Sequence, residues 1–168
     1  MRIKKLLLAI ATLTLVSATP VKHQFTAAEQ QQISISTPGL FSRSNAFNID
    51  LDALKPNEYS FPLPVGKATL RKNNVVEITT KDGDAVKAMF EGTVRLSRKH
   101  PDNGYVIVIR HRNGLETVYA NNAENVVEVG QHVRAGQTIA IVGQRGGKFY
   151  CDFSIMIDGK RINPTAVV

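Results

Sequence analysis

From Tyr59 to the end of the chain, turn signals interrupt the sequence every few residues, and this spacing leaves no room for anything but short extended elements. Lys81-Asp82-Gly83-Asp84, Glu91-Gly92, Pro101-Asp102-Asn103-Gly104, Arg112-Asn113-Gly114 and Gln144-Arg145-Gly146-Gly147 supply the Gly and Asn residues that take positive φ in tight turns. Between them Val75–Thr80, Ala85–Met89, Thr93–Ser97, Tyr105–His111, Leu115–Ala120, Thr138–Val142 and Lys148–Ile157 read as strands. No ten-residue window carries a helical apolar stripe. Short connections make antiparallel neighbours, so the expected fold is all-β: an antiparallel sheet sandwich or partly open barrel.

The first 18 residues have a different grammar. Arg2, Lys4 and Lys5 precede the apolar run Leu6–Val16, and Val16-Ser17-Ala18 supplies small residues for cleavage, so residues 1–18 are expected to be a signal peptide and the protein to be exported, periplasmic or extracellular. The apolar run is too short to span a bilayer, and no cysteine follows it to carry a lipid. Losing three bases changes the charge from +7 to +4, with 18 bases against 14 acids. That balance suits a soluble surface or an anionic envelope partner, and no nucleic-acid partner is expected.

Residues 19–58 read as a tail or spacer. Of 12 glycines only Gly39 precedes residue 60, and Gln30-Gln31-Gln32 and the Ser/Thr-rich Ser34–Thr37 show no sustained period. Phe47–Leu54 alternates in part, which would let the end of the tail dock as a strand or helical turn. Residues 59–168 form the single domain that a 168-residue chain can afford beside such a tail.

Several familiar sites fail on spacing. Gly143–Lys148 has the wrong glycine-to-lysine interval for a phosphate loop and leads into a strand, so it reads as a turn. His23, His100, His111 and His132 show no metal-ligand spacing. The single cysteine, Cys151, shares a strand face with Phe149, Phe153 and Ile155 and reads as a core thiol. Arg95, Arg98, Lys99, Arg110 and Arg112 read as a solvated rim, or as an anion-binding face. Val129–Ile141 has the look of a lipoyl-type hairpin, but no lysine occupies a Met-Lys-Met type turn.

A longer pattern spans the β domain: Phe90-Glu91-Gly92-Thr93-Val94, Gly104-Tyr105-Val106-Ile107-Val108-Ile109-Arg110-His111, Asn113-Gly114-Leu115-Glu116-Thr117-Val118-Tyr119-Ala120, Val129-Gly130, Ala135-Gly136-Gln137-Thr138-Ile139-Ala140 and Asp158-Gly159-Lys160-Arg161-Ile162-Asn163-Pro164. In order and spacing it resembles the LytM/lysostaphin-type zinc peptidoglycan endopeptidases over Tyr59–Pro164. The resemblance implies the fold of those peptidases and a groove with a zinc held by a His-x-x-x-Asp pair and the second His of a His-x-His strand.

Position by position, that chemistry is replaced. The first ligand falls on Asn73, or on Asn74 with a one-residue deletion, the Asp falls on Glu77, the His after Tyr-Ala is Asn121, and the His-x-His strand reads Tyr150-Cys151-Asp152. Phe61-Pro62-Leu63-Pro64 is also followed closely by Asn73, which shortens the loop before the first ligand. Two carboxylates and an amide make a poor zinc site, and hard oxygens suit calcium or magnesium without being numerous enough for either. No cofactor, no bound metal and no catalytic residue is therefore expected. The vestigial groove, built from Asn73, Asn74, Glu77, Asn121, Tyr150 and Asp152 on an exposed face, is expected to bind peptidoglycan or a partner cell-wall hydrolase. Its carboxylates would favour a cationic group, and Tyr150 would either contact the ligand or plug the empty metal cavity. The alternative is a peptidoglycan endopeptidase with an altered metal site using Glu77 and Asp152.

Overall fold

The computed structural model describes residues 49, 51–111, 115–157 and 160–166. The expected signal peptide, residues 19–48 and 50 of the tail and the Arg112-Asn113-Gly114 turn lie outside the described residues. Among the described residues ten strands follow in chain order: β1 Lys67–Leu70, β2 Val76–Thr80, β3 Ala85–Lys87, β4 Gly92–His100, β5 Gly104–Arg110, β6 Leu115–Asn125, β7 His132–Val133, β8 Thr138–Arg145, β9 Lys148–Ile157 and β10 Lys160–Ile162. A 3-10 turn, Pro164–Ala166, follows. The all-β, antiparallel reading holds: every ladder is antiparallel, and the strands join in one sheet of order β1-β2-β9-β8-β6-β5-β4-β7, with β3 on β8 and β10 on β9.

Two strands organise the sheet. β9 pairs along one edge first with β8 and then with β6, and along the other first with β2 and then with β10. β6 follows β9 as far as Ala120, turns at Asn121, which has φ 64°, and resumes against β8 with Asn122 opposite Val142. The corner brings the backbones of β6 and β8 close together. A Cβ on Gly143 would overlap the Asn121 carbonyl oxygen, so only glycine fits there.

Alternation sorts the side chains. Ile78, Ile107, Ile109, Leu115, Tyr119, Ile139, Cys151 and Ile155 are fully buried in one core, and Phe149 packs at its margin. Leu51 is buried in the same core, with Ile49 and Leu54 against it. Phe61 and Leu63 are buried as well, beside hydrogen bonds from Lys87 N–H to the Pro62 carbonyl and from Ser60 N–H to the Met89 carbonyl, both 2.8 Å.

Three strands are absent from the sequence reading: β1, β7 and β10. Each has four residues or fewer, so its period is too brief to register, and each is held by a longer neighbour. Gly92, read as part of a turn, instead opens β4 and pairs with Val133. Its need is space rather than positive φ, since a Cβ would run into the Arg110 carbonyl and the Ile109 side chain.

Candidate functional site

Neighbouring strands β2, β9 and β6 turn alternate residues to one face. Val75, at the start of β2, and Glu77 meet Asp152 and Ser154 of β9, and Val118 and Ala120 of β6. These side chains floor a groove of about 370 Å³. Its walls are Arg71 and Asn73 from the β1–β2 turn, Asn103 from the β4–β5 turn and Arg161 from β10. The turn decides between the two asparagines. Arg71 N–H bonds to the Val75 carbonyl at 2.8 Å, Asn74 N–H bonds back to the Arg71 carbonyl at 3.2 Å, and Asn74 takes the left-handed conformation at φ 61°. Asn74 thus shapes the hairpin while Asn73 lines the groove.

Glu77 and Asp152 lie opposite one another across the β2–β9 ladder, yet their electrostatic states diverge. Glu77 is 7% exposed and its carboxylate accepts from two cations of this chain, Arg71 Nη2 on one oxygen and Lys148 Nζ on the other. Burial pushes its pKa up, but the hydrogen bonds and charges of Lys148 and Arg71 together outweigh burial and hold the carboxyl below its ordinary value. Asp152 shifts the other way. Burial and the adjacent Glu77 charge raise it, against a weaker opposing pull from Arg71, Arg145 and Arg161. The expectation that both carboxylates wait for an external cation is therefore corrected at Glu77, where the chain supplies two.

Asn121 and Tyr150 do not line the groove. Asn121 is 5% exposed, and its side-chain amide donates to the Tyr150 carbonyl at 2.8 Å and to the Gly143 carbonyl at 3.3 Å, tying β6 to β8 and β9. Its side chain thereby holds the bend that its own backbone makes. Tyr150 is 9% exposed, with Lys148 Nζ 5.6 Å from its ring centroid. The Lys148 side chain thus crosses the tyrosine face on its way to Glu77. Of the six sequence-predicted positions, the groove gathers Asn73, Glu77 and Asp152; Asn74, Asn121 and Tyr150 support it from outside.

Arg71, Asn103, Lys148 and Arg161 belong to the site without having been singled out in the sequence. Lys148 was within reach, because a period of two places it on the face of Tyr150 and Asp152. Arg161 had no such signal, since β10 is recognisable only by its pairing with β9.

His23 lies outside the described residues, and the three histidines within them lie away from the groove. His132 Nε2 is 3.1 Å from Glu91 Oε1, and His100 Nδ1 accepts from Asp102 N–H at 3.2 Å. His111 is buried, its Nδ1 2.7 Å from the Glu91 carbonyl and its Nε2 2.8 Å from Thr117 Oγ1, which lies 3.0 Å from the Tyr119 hydroxyl. Met89 N–H donates to that hydroxyl at 2.8 Å. Burial lowers the pKa of His111 despite the Glu91 hydrogen bond and the Glu116 charge. The basic set divides: Arg95 and Arg110 hold the buried Glu116 at 2.6 and 3.2 Å, and Lys99 lies over Tyr105.

Residues 71–164 match the profile of peptidase family M23. The chain belongs to that family. Over 91 residues it is 38% identical to the murein hydrolase activator EnvC of Escherichia coli, covering 52% of this chain and 21% of that protein. Over 98 residues it is 35% identical to stage II sporulation protein Q of Bacillus subtilis, covering 53% of this chain and 34% of that protein. The chain thus matches between a fifth and a third of the length of these relatives. The structure of lysostaphin from Staphylococcus simulans superposes with a TM-score of 0.58 at 22% identity, over 66% of this chain and 53% of that one, which shows a shared fold.

Family M23 likeness implies a zinc, and the donors of this member do not suit one. Among the described residues no three His, Cys, Asp or Glu side chains gather to hold a metal ion. Glu77, the groove's most buried acid, is already engaged by a guanidinium and an ammonium, whose positive charges would repel a dication at the same place. Among the described residues no helix is long and apolar enough to cross a membrane.

Proposed function

We propose that this M23 member is an exported, catalytically inactive module that works in the cell envelope, engaging a cell-wall hydrolase or the peptidoglycan through its groove rather than cutting the wall. The observation that carries this reading is the pairing of Glu77 with Arg71 and Lys148. A peptidase of this kind needs a Lewis acid to activate water and a group that trades protons near neutrality. In this groove the carboxylate best placed to hold a metal is neutralised from within, and among the described residues no imidazole lines it. What is left is a preformed concavity, the form that binding sites take, with a mainly polar lining. Likeness to a protein named a murein hydrolase activator supports a regulatory role at the wall.

The test is dye release from labelled peptidoglycan by the purified exported chain, alone and with a wall amidase. Alone it is expected to release nothing with or without added zinc, and with a cognate amidase to raise the release. Zinc-dependent release by the protein alone, lost in Glu77→Ala or Asp152→Ala, would establish instead an endopeptidase with an altered metal site.

A further inference from the structure

Charge around the groove runs opposite to the charge of its floor. Four cations, Arg71, Lys148, Arg145 and Arg161, act on only two carboxylates, Glu77 and Asp152. Lys148 and Arg71 approach from the two sides of Glu77 and leave about half of each side chain exposed to solvent. Arg161 stands on the wall, exposed, with Asp152 as the carboxylate that feels it. The site is therefore a positive rim around a half-buried acid. A second carboxylate entering beside Arg161 and Arg71 meets guanidinium donors suited to bidentate pairing. The amides of Asn73 and Asn103 can bond to an extended backbone, and Val118 and Ala120 offer a small apolar floor.

We propose that the groove recognises an acidic segment of a partner protein, a Glu or Asp side chain seated between Arg161 and Arg71, with Asp152 as the repelling element that sets how strongly it is held. This rests on the binding reading above and names the chemistry of the ligand. The volume, at the small end of ligand-sized pockets, admits one such side chain with a short stretch of backbone rather than a helix. A pair of spaced acids is not written in the chain's own residues 19–48. Residues 19–48 contain a single acid, Glu29, beside Lys22 and Arg43. An acidic protein segment is favoured over a wall fragment because the ladder of rim cations extends along the same sheet face to Arg95 and Arg110 on Glu116, giving a second positive cluster roughly 13 Å away at about 3.3 Å per residue along β9. Spaced acids on one peptide can use both.

The probe is a fluorescein-labelled peptide of alternating Glu and Gly, compared with its Gln-Gly counterpart and with labelled wall stem peptide, read by fluorescence anisotropy with the exported chain. The Glu peptide is expected to bind, more weakly as salt rises, and the Gln peptide is expected not to bind. Arg161→Gln should weaken binding tenfold or more with an unchanged melting curve, Asp152→Asn should tighten it severalfold, and Arg98→Gln, which belongs to neither cluster, should leave it as it was. Equal binding of the Gln peptide, binding untouched by Arg161→Gln, or binding weakened by Asp152→Asn would overturn the inference. So would preference for the stem peptide. If the protein stimulates an amidase and Arg161→Gln stimulates equally, the acidic-segment inference fails while the binding function stands; if it stimulates no amidase and holds neither peptidoglycan nor either peptide, both fail.

Discussion

β6 carries polar residues on both of its faces. On the inward face Thr117 and Tyr119 sit in a run of neutral hydrogen bonds from Met89 to His111. On the other face Glu116 lies between Arg95 and Arg110, and across β9 Glu77 lies between Arg71 and Lys148. Inside the core the groups are uncharged and their directions interlock. The Glu91 carbonyl can only accept, so His111 Nδ1 carries the proton and Nε2 takes one from the Thr117 hydroxyl. Thr117 then accepts from the Tyr119 phenol, which accepts from Met89 N–H. On the groove face each acid is buried but its cations reach water, which limits the desolvation that a fully buried pair would suffer. Full burial is compatible with a closed neutral chain; charge is kept where one partner stays wet.

Breaking the inward chain should cost most. Thr117→Val removes the link between His111 and Tyr119 and strands two buried polar groups, a loss of about 3 kcal/mol in denaturant unfolding. Thr117→Ser should recover most of it, and if Val costs as little as Ser the chain carries no weight. On the groove face Glu77→Gln should cost less, about 1–2 kcal/mol, because the released cations are half exposed. Glu116→Gln should behave alike, and a cost at either site as large as that of Thr117→Val would erase the contrast between the faces.

The faces also differ toward acid. His111 binds protons more readily unfolded than folded, so its contribution is full above the ordinary histidine value and is lost as the pH falls through its lowered folded value. Stability should decline as the pH falls below the ordinary histidine value of about 6.5, and in His111→Gln that decline should vanish whatever the variant's own stability. A decline of equal slope in the variant would assign it elsewhere. The smallest effect belongs to Asp152, whose folded pKa is raised, so that its stabilising contribution is present at low pH and lost as the pH rises through the folded value. Asp152→Asn should therefore raise stability at pH 7 by a few tenths of a kcal/mol, in keeping with a partly exposed site. A clear loss in thermal unfolding would give the ionised carboxylate a structural duty.

The groove was partly legible in the residues. Period-two alternation places Asp152 and Ser154 on one face and Glu77 on the face of Asn73, and the structure gathers these four. The same rule placed Tyr150 with Asp152, yet Tyr150 is covered by Lys148, because parity assigns a side chain to a face but not to a depth. Asn121 shows a further limit. Nothing in Tyr119-Ala120-Asn121-Asn122 announces that β6 leaves β9 there, so its role as a corner, amide and φ together, emerges only when β8 and β9 are in place.

By itself the sequence determined the antiparallel all-β class and the principal strands, because turn chemistry and alternation are local properties written in neighbouring residues. It also determined that imidazoles are missing from the positions where the resemblance implies a zinc site. Only the tertiary structure decided what stands there instead. Arg71 and Lys148 are 77 residues apart, yet both close on Glu77, and they do so because β2 and β9 pair in one register and the β1–β2 turn folds over them. The charge of a site is a sum over side chains from several strands, and that sum exists only after the strands have met.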